Sequence, residues 1–211
     1  MALTPFSTLT GRAAPLTLAN VDTDVIIRID RMTSADPAEL APWAFESLRY
    51  GADGAPRPDF VLNDPAYAGA PILLAGGNFG CGSSREPAVW AIMGLGFRCV
   101  IAPSFGDIFR GNCLINGVLP IVLAAAAVAE LAEASRRQDL VTVDLPAQRV
   151  RAAGTSWPFE IGAAHKLMLM DGVDEMTLSL RFADRVTAWE EQDRARRPWA
   201  WPEPITTQPG G

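Results

Sequence analysis

The stretch Gly76-Gly77-Asn78-Phe79-Gly80-Cys81-Gly82-Ser83-Ser84-Arg85-Glu86 joins two runs of different type. The apolar residues 70–75 before it predict a buried strand, and residues 88–95 after it predict a helix. Its four glycines permit left-handed backbone angles and a close approach of the main chain to a ligand. We therefore predict a strand–turn–helix unit. Its helix start is either an anion site or only a turn, capped by Ser83 or Ser84.

The same rhythm continues after this unit. Residues 97–102, 118–123 and 140–144 predict strands, and the patterns over 104–116 and 124–137 predict the helices between them. Regular alternation of strands and helices is typical of a parallel or mixed sheet covered by helices. The sequence therefore predicts an α/β fold with a mainly parallel central sheet.

The ends of the chain have a different texture. Asn20-Val21-Asp22-Thr23-Asp24 predicts a polar turn, and Val25-Ile26-Ile27 after it predicts a strand. Near the other end, residues 184–196 predict an exposed amphipathic helix. We predict one domain over 1–196 and a loose or partner-docking tail over 197–211, which contains Trp199 and Trp201.

Composition limits the class of protein. A chain of 211 residues can bury a core of its own, and a net charge of −6 argues against nucleic acid or an anionic membrane as a general partner. No apolar run reaches membrane-spanning length, and residues 1–10 lack the basic start and apolar core of a signal peptide. We therefore expect a cytoplasmic protein.

The cysteines and the histidine argue against several common sites. Cys81, Cys99 and Cys113 are widely spaced, with no Cys-x-x-Cys pair, so we expect no metal or iron–sulfur site held by this chain alone. The single histidine, His165, lies far along the chain from the glycine-rich turn. We therefore expect proton chemistry on hydroxyls, carboxylates or a partner protein.

Charged residues ahead of the turn offer further candidates. Asp22 and Asp24 can stabilise their own turn, orient a cation or change the pKa of a neighbour. Arg28 and Arg31 open a long region rich in Pro, Gly and Asp; each is either a surface charge or a contact for a substrate carboxylate. We take both arginines as candidate substrate-binding residues.

Several motifs carry a resemblance to a known family. They are Asn20-Val21-Asp22-Thr23-Asp24, Pro58-Asp59-Phe60-Val61-Leu62-Asn63, Asn78-Phe79-Gly80-Cys81-Gly82-Ser83-Ser84-Arg85-Glu86, Ile101-Ala102-Pro103-Ser104-Phe105-Gly106-Asp107-Ile108-Phe109 and Asn116-Gly117-Val118-Leu119-Pro120. With these motifs the chain resembles the small subunits of 3-isopropylmalate dehydratase, the swivelling domain of the aconitase superfamily. The resemblance covers nearly the whole chain, and its most specific part is the Gly-Ser-Ser-Arg-Glu run. It implies a swivelling β/β/α fold like that of the aconitase C-terminal domain.

The resemblance also implies a reaction and a partner. Members of this family act with a large subunit that carries a [4Fe–4S] cluster, so the implied assembly is a heterodimer in which this chain binds no cofactor. The implied substrate is a small dicarboxylate. A hydroxy-diacid is dehydrated and rehydrated so that its hydroxyl moves to the neighbouring carbon, as between 3-isopropylmalate and 2-isopropylmalate in leucine biosynthesis.

Four residues match the functional positions of the family. The resemblance implies that Ser83 is the base that takes the carbon-bound proton and that Arg85 stabilises the alkoxide and meets a substrate carboxylate. It further implies that Ser84 binds substrate and that Asp24 belongs to the active site. A serine is a weak base in water, but a nearby guanidinium and a helix N-terminus in a closed pocket make its alkoxide accessible.

Departures from the family pattern concern the substrate. Pro87 stands where the family usually has His, and Arg28-Ile29 stands where it usually has Pro-Lys. The loop over about 28–58, which resembles the substrate-choosing loop, is atypical as well. Two alternatives therefore stay open: a related dehydratase acting on citraconate, 2-methylmalate or dimethylmalate, and a non-catalytic swivelling module that binds a ligand or regulates a partner.

Overall fold

Two four-stranded sheets form the frame of the protein in a computed structural model, which describes residues 3–83 and 85–201. The strands are β1 (Thr8–Gly11), β2 (Ala13–Leu16), β3 (Ile72–Ala75), β4 (Cys99–Ala102), β5 (Leu119–Val122), β6 (Val141–Asp144), β7 (Arg149–Ala152) and β8 (Thr155–Pro158). The helices are α1 (Thr23–Ile26), α2 (Pro37–Leu40), α3 (Glu46–Arg49), α4 (Pro87–Gly94), α5 (Asp107–Ile115), α6 (Ala125–Arg136), α7 (Ala163–Asp171), α8 (Glu175–Leu180) and α9 (Ala183–Arg196).

The parallel sheet has the order β2-β3-β4-β5 and is buried on both faces. Successive side chains of its strands belong alternately to two hydrophobic clusters: Ile72 and Leu74 belong to one, and Leu73 and Ala75 belong to the other. The first cluster includes residues of α6, α7 and the second sheet, whereas the second includes residues of α1, α4 and α5. Burial on both faces explains why the strands are continuous apolar runs in the sequence.

The second sheet is antiparallel, with the order β1-β6-β7-β8. Its inward residues, such as Val141, Val143 and Val150, alternate with more exposed neighbours, as expected for a sheet with one covered face. An antiparallel sheet, a parallel sheet and a helical layer thus make up the predicted β/β/α arrangement.

Three details of the sequence-based prediction were wrong or incomplete. The strand predicted over residues 25–27 is instead the short helix α1, because Asp22 caps it by accepting a hydrogen bond from the Val25 N–H at 2.8 Å. The strand predicted over 140–144 belongs to the antiparallel sheet and does not continue the parallel one. Strands β1 and β2 were not predicted.

The chain divides into two units, Met1–Val173 and Asp174–Gly211. Both sheets and both hydrophobic clusters belong to the first unit. In the second, helix α9 ends where Arg197 and the Trp201 indole N–H donate hydrogen bonds to the Asp193 carboxylate. The domain extent of 1–196 stays a prediction, and residues 202–211 of the predicted tail lie outside the described residues. No helix within the described ranges is long and apolar enough to cross a membrane.

Candidate active site

The glycine-rich turn, residues 76–86, leaves the carboxyl end of β3 beside the segment 20–23, which follows β2. Backbone hydrogen bonds join the two segments: Asn20 N–H to Gly77 O at 2.9 Å, Gly80 N–H to Val21 O at 2.7 Å, and Thr23 N–H to Cys81 O at 3.0 Å. Open α/β sheets place ligands at the carboxyl ends of their strands. The two polar motifs are therefore one continuous feature at the sheet edge where a site is expected.

Glycine is required in the turn by contact with α5. The backbone of Gly80 has a φ of +71°, and a Cβ there would lie 2.2 Å from the Cγ atom of Phe109. On the other side, a Cβ on Gly106 would lie 2.5 Å from the carbonyl oxygen of Gly80. The close backbone approach predicted for this turn is thus, at Gly80, an approach to a neighbouring helix.

Ser83 lies exposed on the turn, and its backbone is held from below. The Thr23 hydroxyl, which is 1% exposed, donates a hydrogen bond of 2.9 Å to the Ser83 carbonyl oxygen. Among the described residues, none accepts from or donates to the Ser83 hydroxyl. The main chain of Ser83 is therefore fixed while its hydroxyl is available to a ligand.

Asp24 and Arg85 form an ion pair between the two segments. The Arg85 Nη1 atom donates to the Asp24 Oδ1 atom, and the side chains are 18% and 54% exposed, respectively. Arg85 lies two residues after Ser83, so the pair places a guanidinium and a carboxylate beside the serine turn. The structure thus brings together three of the predicted site residues.

The start of α4 differs from the cap predicted for it. Its N-cap is Glu86, which makes no capping hydrogen bond with its side chain, and Pro87 occupies the first turn. The alternative in which Ser83 is only a helix cap is therefore wrong. Ser84 lies outside the described residues, and its role in substrate binding stays a prediction.

Arg28 and Arg31 bind carboxylates of their own chain. Arg28 makes two hydrogen bonds of 3.0 Å to Asp30, and Arg31 makes bonds of 3.1 and 2.7 Å to Glu46. The Arg31 guanidinium also stacks on the Trp43 ring, with 3.8 Å from its carbon to the ring centroid. Within the described residues, neither arginine makes a hydrogen bond or ion pair with the glycine-rich turn.

A cavity of about 730 Å³ lies within this loop region. Arg28 and Arg57 line it together with the aromatic residues Trp43 and Tyr50, and Glu46 adds a negative charge. Its walls thus combine cationic groups with aromatic surface, a mixture suited to a small acid with an apolar part.

The described residues do not fit a metal or cluster site. No group of three His, Cys, Asp or Glu side chains lies close enough within 3–83 and 85–201 to hold a metal ion. Cys99 and Cys113 are fully buried, and burial raises the pKa of both thiols well above its ordinary value. These two thiols are packing residues and are not available as ligands.

Sequence reasoning missed two positions that support the turn. Thr23 lies between the two predicted aspartates, but only the fold shows that its hydroxyl reaches Ser83. Asn116, in the motif at the end of α5, donates a hydrogen bond of 2.8 Å to Glu86 at the end of the turn. The sequence contains the signal for both, since each lies within a quoted motif, but the contacts span 60 and 30 residues.

Similarity to known proteins extends over the two segments that form the candidate site. The family model of the aconitase C-terminal domain matches residues 3–126, which include both segments of the site. Proteins described as 3-isopropylmalate dehydratase small subunits are similar over 92% of this chain. The relative from Rhodospirillum centenum is 48% identical over 198 residues and 98% of its own length. The relative from Cupriavidus necator is 47% identical over 201 residues and 97% of its length.

A solved structure supports the fold. The crystal structure of 3-isopropylmalate dehydratase from Methanocaldococcus jannaschii is similar with a TM-score of 0.61 and a sequence identity of 28%. The match covers 86% of this chain and 99% of that one. Sequence and structure comparisons therefore agree on one family.

Proposed function

The chain belongs to the family of 3-isopropylmalate dehydratase small subunits, and on this premise we propose that it is the small subunit of a two-chain hydro-lyase. The proposed reaction interconverts 3-isopropylmalate and 2-isopropylmalate in leucine biosynthesis. The observation that carries the proposal is the exposed Ser83, two residues before the arginine of the Asp24–Arg85 ion pair, at the carboxyl edge of the parallel sheet.

In this proposal Ser83 takes the proton from the carbon next to the one that loses the hydroxyl. The Thr23 hydroxyl supports it by fixing the Ser83 main chain at a distance of 2.9 Å. Arg85 supplies positive charge, which lowers the free energy of the serine alkoxide when water is excluded. The two residues therefore have separate roles. Ser83 takes the proton from the substrate carbon, and Arg85 makes the serine alkoxide accessible at neutral pH.

Arg85 has a second proposed role, in holding a substrate carboxylate. A guanidinium carries five N–H donors, and the bond from Nη1 to Asp24 uses only one of them. Asp24 fixes the direction of the guanidinium and leaves other donors for the substrate. Ser84 is proposed as a further substrate contact.

A [4Fe–4S] cluster is proposed on the large subunit, since the described residues of this chain do not form a site for one. When bound there, the cluster supplies a Lewis acid for the departing hydroxyl. The large subunit thus also completes the pocket over Ser83, which is exposed in this chain.

Arg28 and Arg31 are proposed to act at the substrate loop in different ways. Arg31 is bonded to Glu46 and stacked on Trp43, so it shapes the loop. Arg28 pairs with the exposed Asp30 and lines the cavity, so it can exchange this partner for a substrate carboxylate. Because the loop departs from the family pattern, dehydration of citraconate-type or dimethylmalate-type acids is the second candidate activity.

Co-expression with the large subunit tests the proposal. The assembled pair is expected to interconvert one acid of a panel of C4–C7 hydroxy-diacids, and Ser83→Ala is expected to lower kcat at least about 100-fold without loss of assembly. Ser156→Ala, an exposed serine of β8, is the matched control and should keep full kcat. Full activity of Ser83→Ala would refute the base assignment. A native pair that turns over no acid of the panel would favour a non-catalytic binding module.

A further inference from the structure

The first residues of helix α5 contact the start of the glycine-rich turn, residues 76–86. The Gly106 N–H, at the helix N-cap, donates a hydrogen bond of 2.9 Å to the Phe79 carbonyl oxygen. The Phe109 ring packs edge-on against the Phe79 ring with 5.4 Å between centroids. This end of α5 therefore fixes where the turn begins.

The same helix reaches the end of the turn through its C-cap residue, Asn116. The Asn116 Nδ2 atom donates to Glu86 Oε1 at 2.8 Å and to the Asn112 carbonyl oxygen at 2.9 Å, and its Oδ1 atom accepts from Trp90 Nε1 at 2.9 Å. An indole N–H only donates, whereas a carboxylate and a carbonyl only accept. The amide of Asn116 therefore has one orientation that satisfies all three neighbours.

The Glu86 side chain is held by this bond. Its side chain makes no capping bond to α4, and within the described part of the chain its carboxylate has no hydrogen-bond partner other than Asn116. Glu86 directly follows Arg85, so this side-chain bond links the neighbour of the guanidinium to the end of α5. The contact between Asn116 and Glu86 thus joins the last residue of the turn to the C-cap of α5.

We propose that Asn116 is a positioning residue for the active site: by holding Glu86 it fixes Arg85, and with it the geometry around Ser83. This inference rests on the proposed function for one of its two readouts, the turnover of the assembled pair. A displacement of about 1 Å in a catalytic group can lower a rate about 100-fold, so a bond outside the substrate pocket can control kcat.

The test uses the near-isosteric change Asn116→Asp in the full-length chain. The new carboxylate still accepts from Trp90 but cannot donate, and it faces the Glu86 carboxylate. With the large subunit, kcat is expected to fall about 10- to 100-fold while KM changes less than about threefold. In the chain alone, hydrogen–deuterium exchange of the peptide covering 80–90 is expected to become faster.

A second substitution distinguishes positioning from general damage. In the double variant Asn116→Asp with Glu86→Gln, the new amide at 86 donates to the new carboxylate at 116, and kcat and slow exchange should both return at least in part. Leu114→Val is the matched control. This buried residue of α5 packs into the first hydrophobic cluster, the one shared with α6 and the second sheet, which contains no described residue of the turn. It should lower Tm but leave kcat and the exchange of 80–90 unchanged.

Each result decides one claim. Native kcat and native exchange in Asn116→Asp would overturn the inference, as would a double variant no better than the single one. If the native pair itself turns over no acid, the proposed function fails, and the exchange measurement alone then decides whether Asn116 fixes the turn.

Discussion

Arg85 and Asp24, 61 residues apart in the sequence, form an ion pair that joins the two segments of the site. Asp24→Asn removes the charge that directs the guanidinium. Because Asp24 is 54% exposed, we expect the free energy of unfolding to fall by less than about 1 kcal/mol. In the assembled enzyme we expect kcat to fall at least about tenfold, since Arg85 loses its orientation.

Steady-state kinetics and urea unfolding measure these two effects. Glu133→Gln is the control, because it also removes one exposed carboxylate from an ion pair, with Arg136 on α6. It should leave kcat unchanged. An Asp24→Asn enzyme with native kcat would show that the ion pair does not orient Arg85 for the reaction.

Gly80 offers a prediction about stability. Gly80→Ala places a methyl group 2.2 Å from the Phe109 ring at a φ of +71°, whereas Gly69→Ala has a similar φ of +69° and no atom within 4 Å. We expect Gly69→Ala to cost about 1 kcal/mol and Gly80→Ala about 2–4 kcal/mol, since the latter adds a steric clash to the same backbone strain. Equal midpoints in urea would contradict the close packing of the turn on α5.

The three cysteines should react differently with a thiol reagent. Cys99 and Cys113 are fully buried with raised pKa values, whereas Cys81 is partly exposed in the turn. At pH 8 we expect about one thiol per native chain to react with Ellman's reagent, and all three after denaturation. Cys81→Ser should abolish the native reaction. Rapid reaction of two or more thiols in the native chain would contradict the burial of the other two.

We expect Asp144 to contribute to the loss of folding stability in acid. The Ala147 backbone N–H and then Arg151 lower the pKa of its carboxyl below the ordinary value. A lowered folded-state pKa stabilises the fold above about pH 4, and this contribution is lost as the pH falls through the folded-state value. Asp144→Asn should therefore lower Tm at pH 7, and the difference from the native protein should shrink below pH 4. A difference independent of pH would contradict the assignment.

Much of the parallel layer could be predicted from the sequence. Strands β3, β4 and β5 are apolar runs buried on both faces, and α4, α5 and α6 follow from helical periodicity. The short helix α1 could not be predicted from its apolar residues: a β-branched run favours a strand, and one capping bond from Asp22 decides against it.

The site was only partly readable for a related reason. The motifs predict Ser83, Arg85 and Asp24 as site residues, but the contact of Arg85 with Asp24 is created by the pairing of two loops after β2 and β3. Likewise, nothing local in the sequence shows that Arg31 bonds Glu46, because Glu46 begins α3 and lies 15 residues further along the chain. Such contacts are set by tertiary structure.

Strands β2 and β3 are hydrogen-bonded neighbours, yet residues 17–71 separate them in the sequence. The pairing of Ala13 with Ile72 and of Leu16 with Ala75 fixes the two ends of this connection whatever its interior contains. We therefore expect the interior of this connection, which includes the proposed substrate loop, to tolerate changes in length and composition while the sheet stays constant. A chimaera that exchanges residues 28–58 between relatives is accordingly expected to keep the fold, and the proposed role of this loop predicts that its acid selectivity changes.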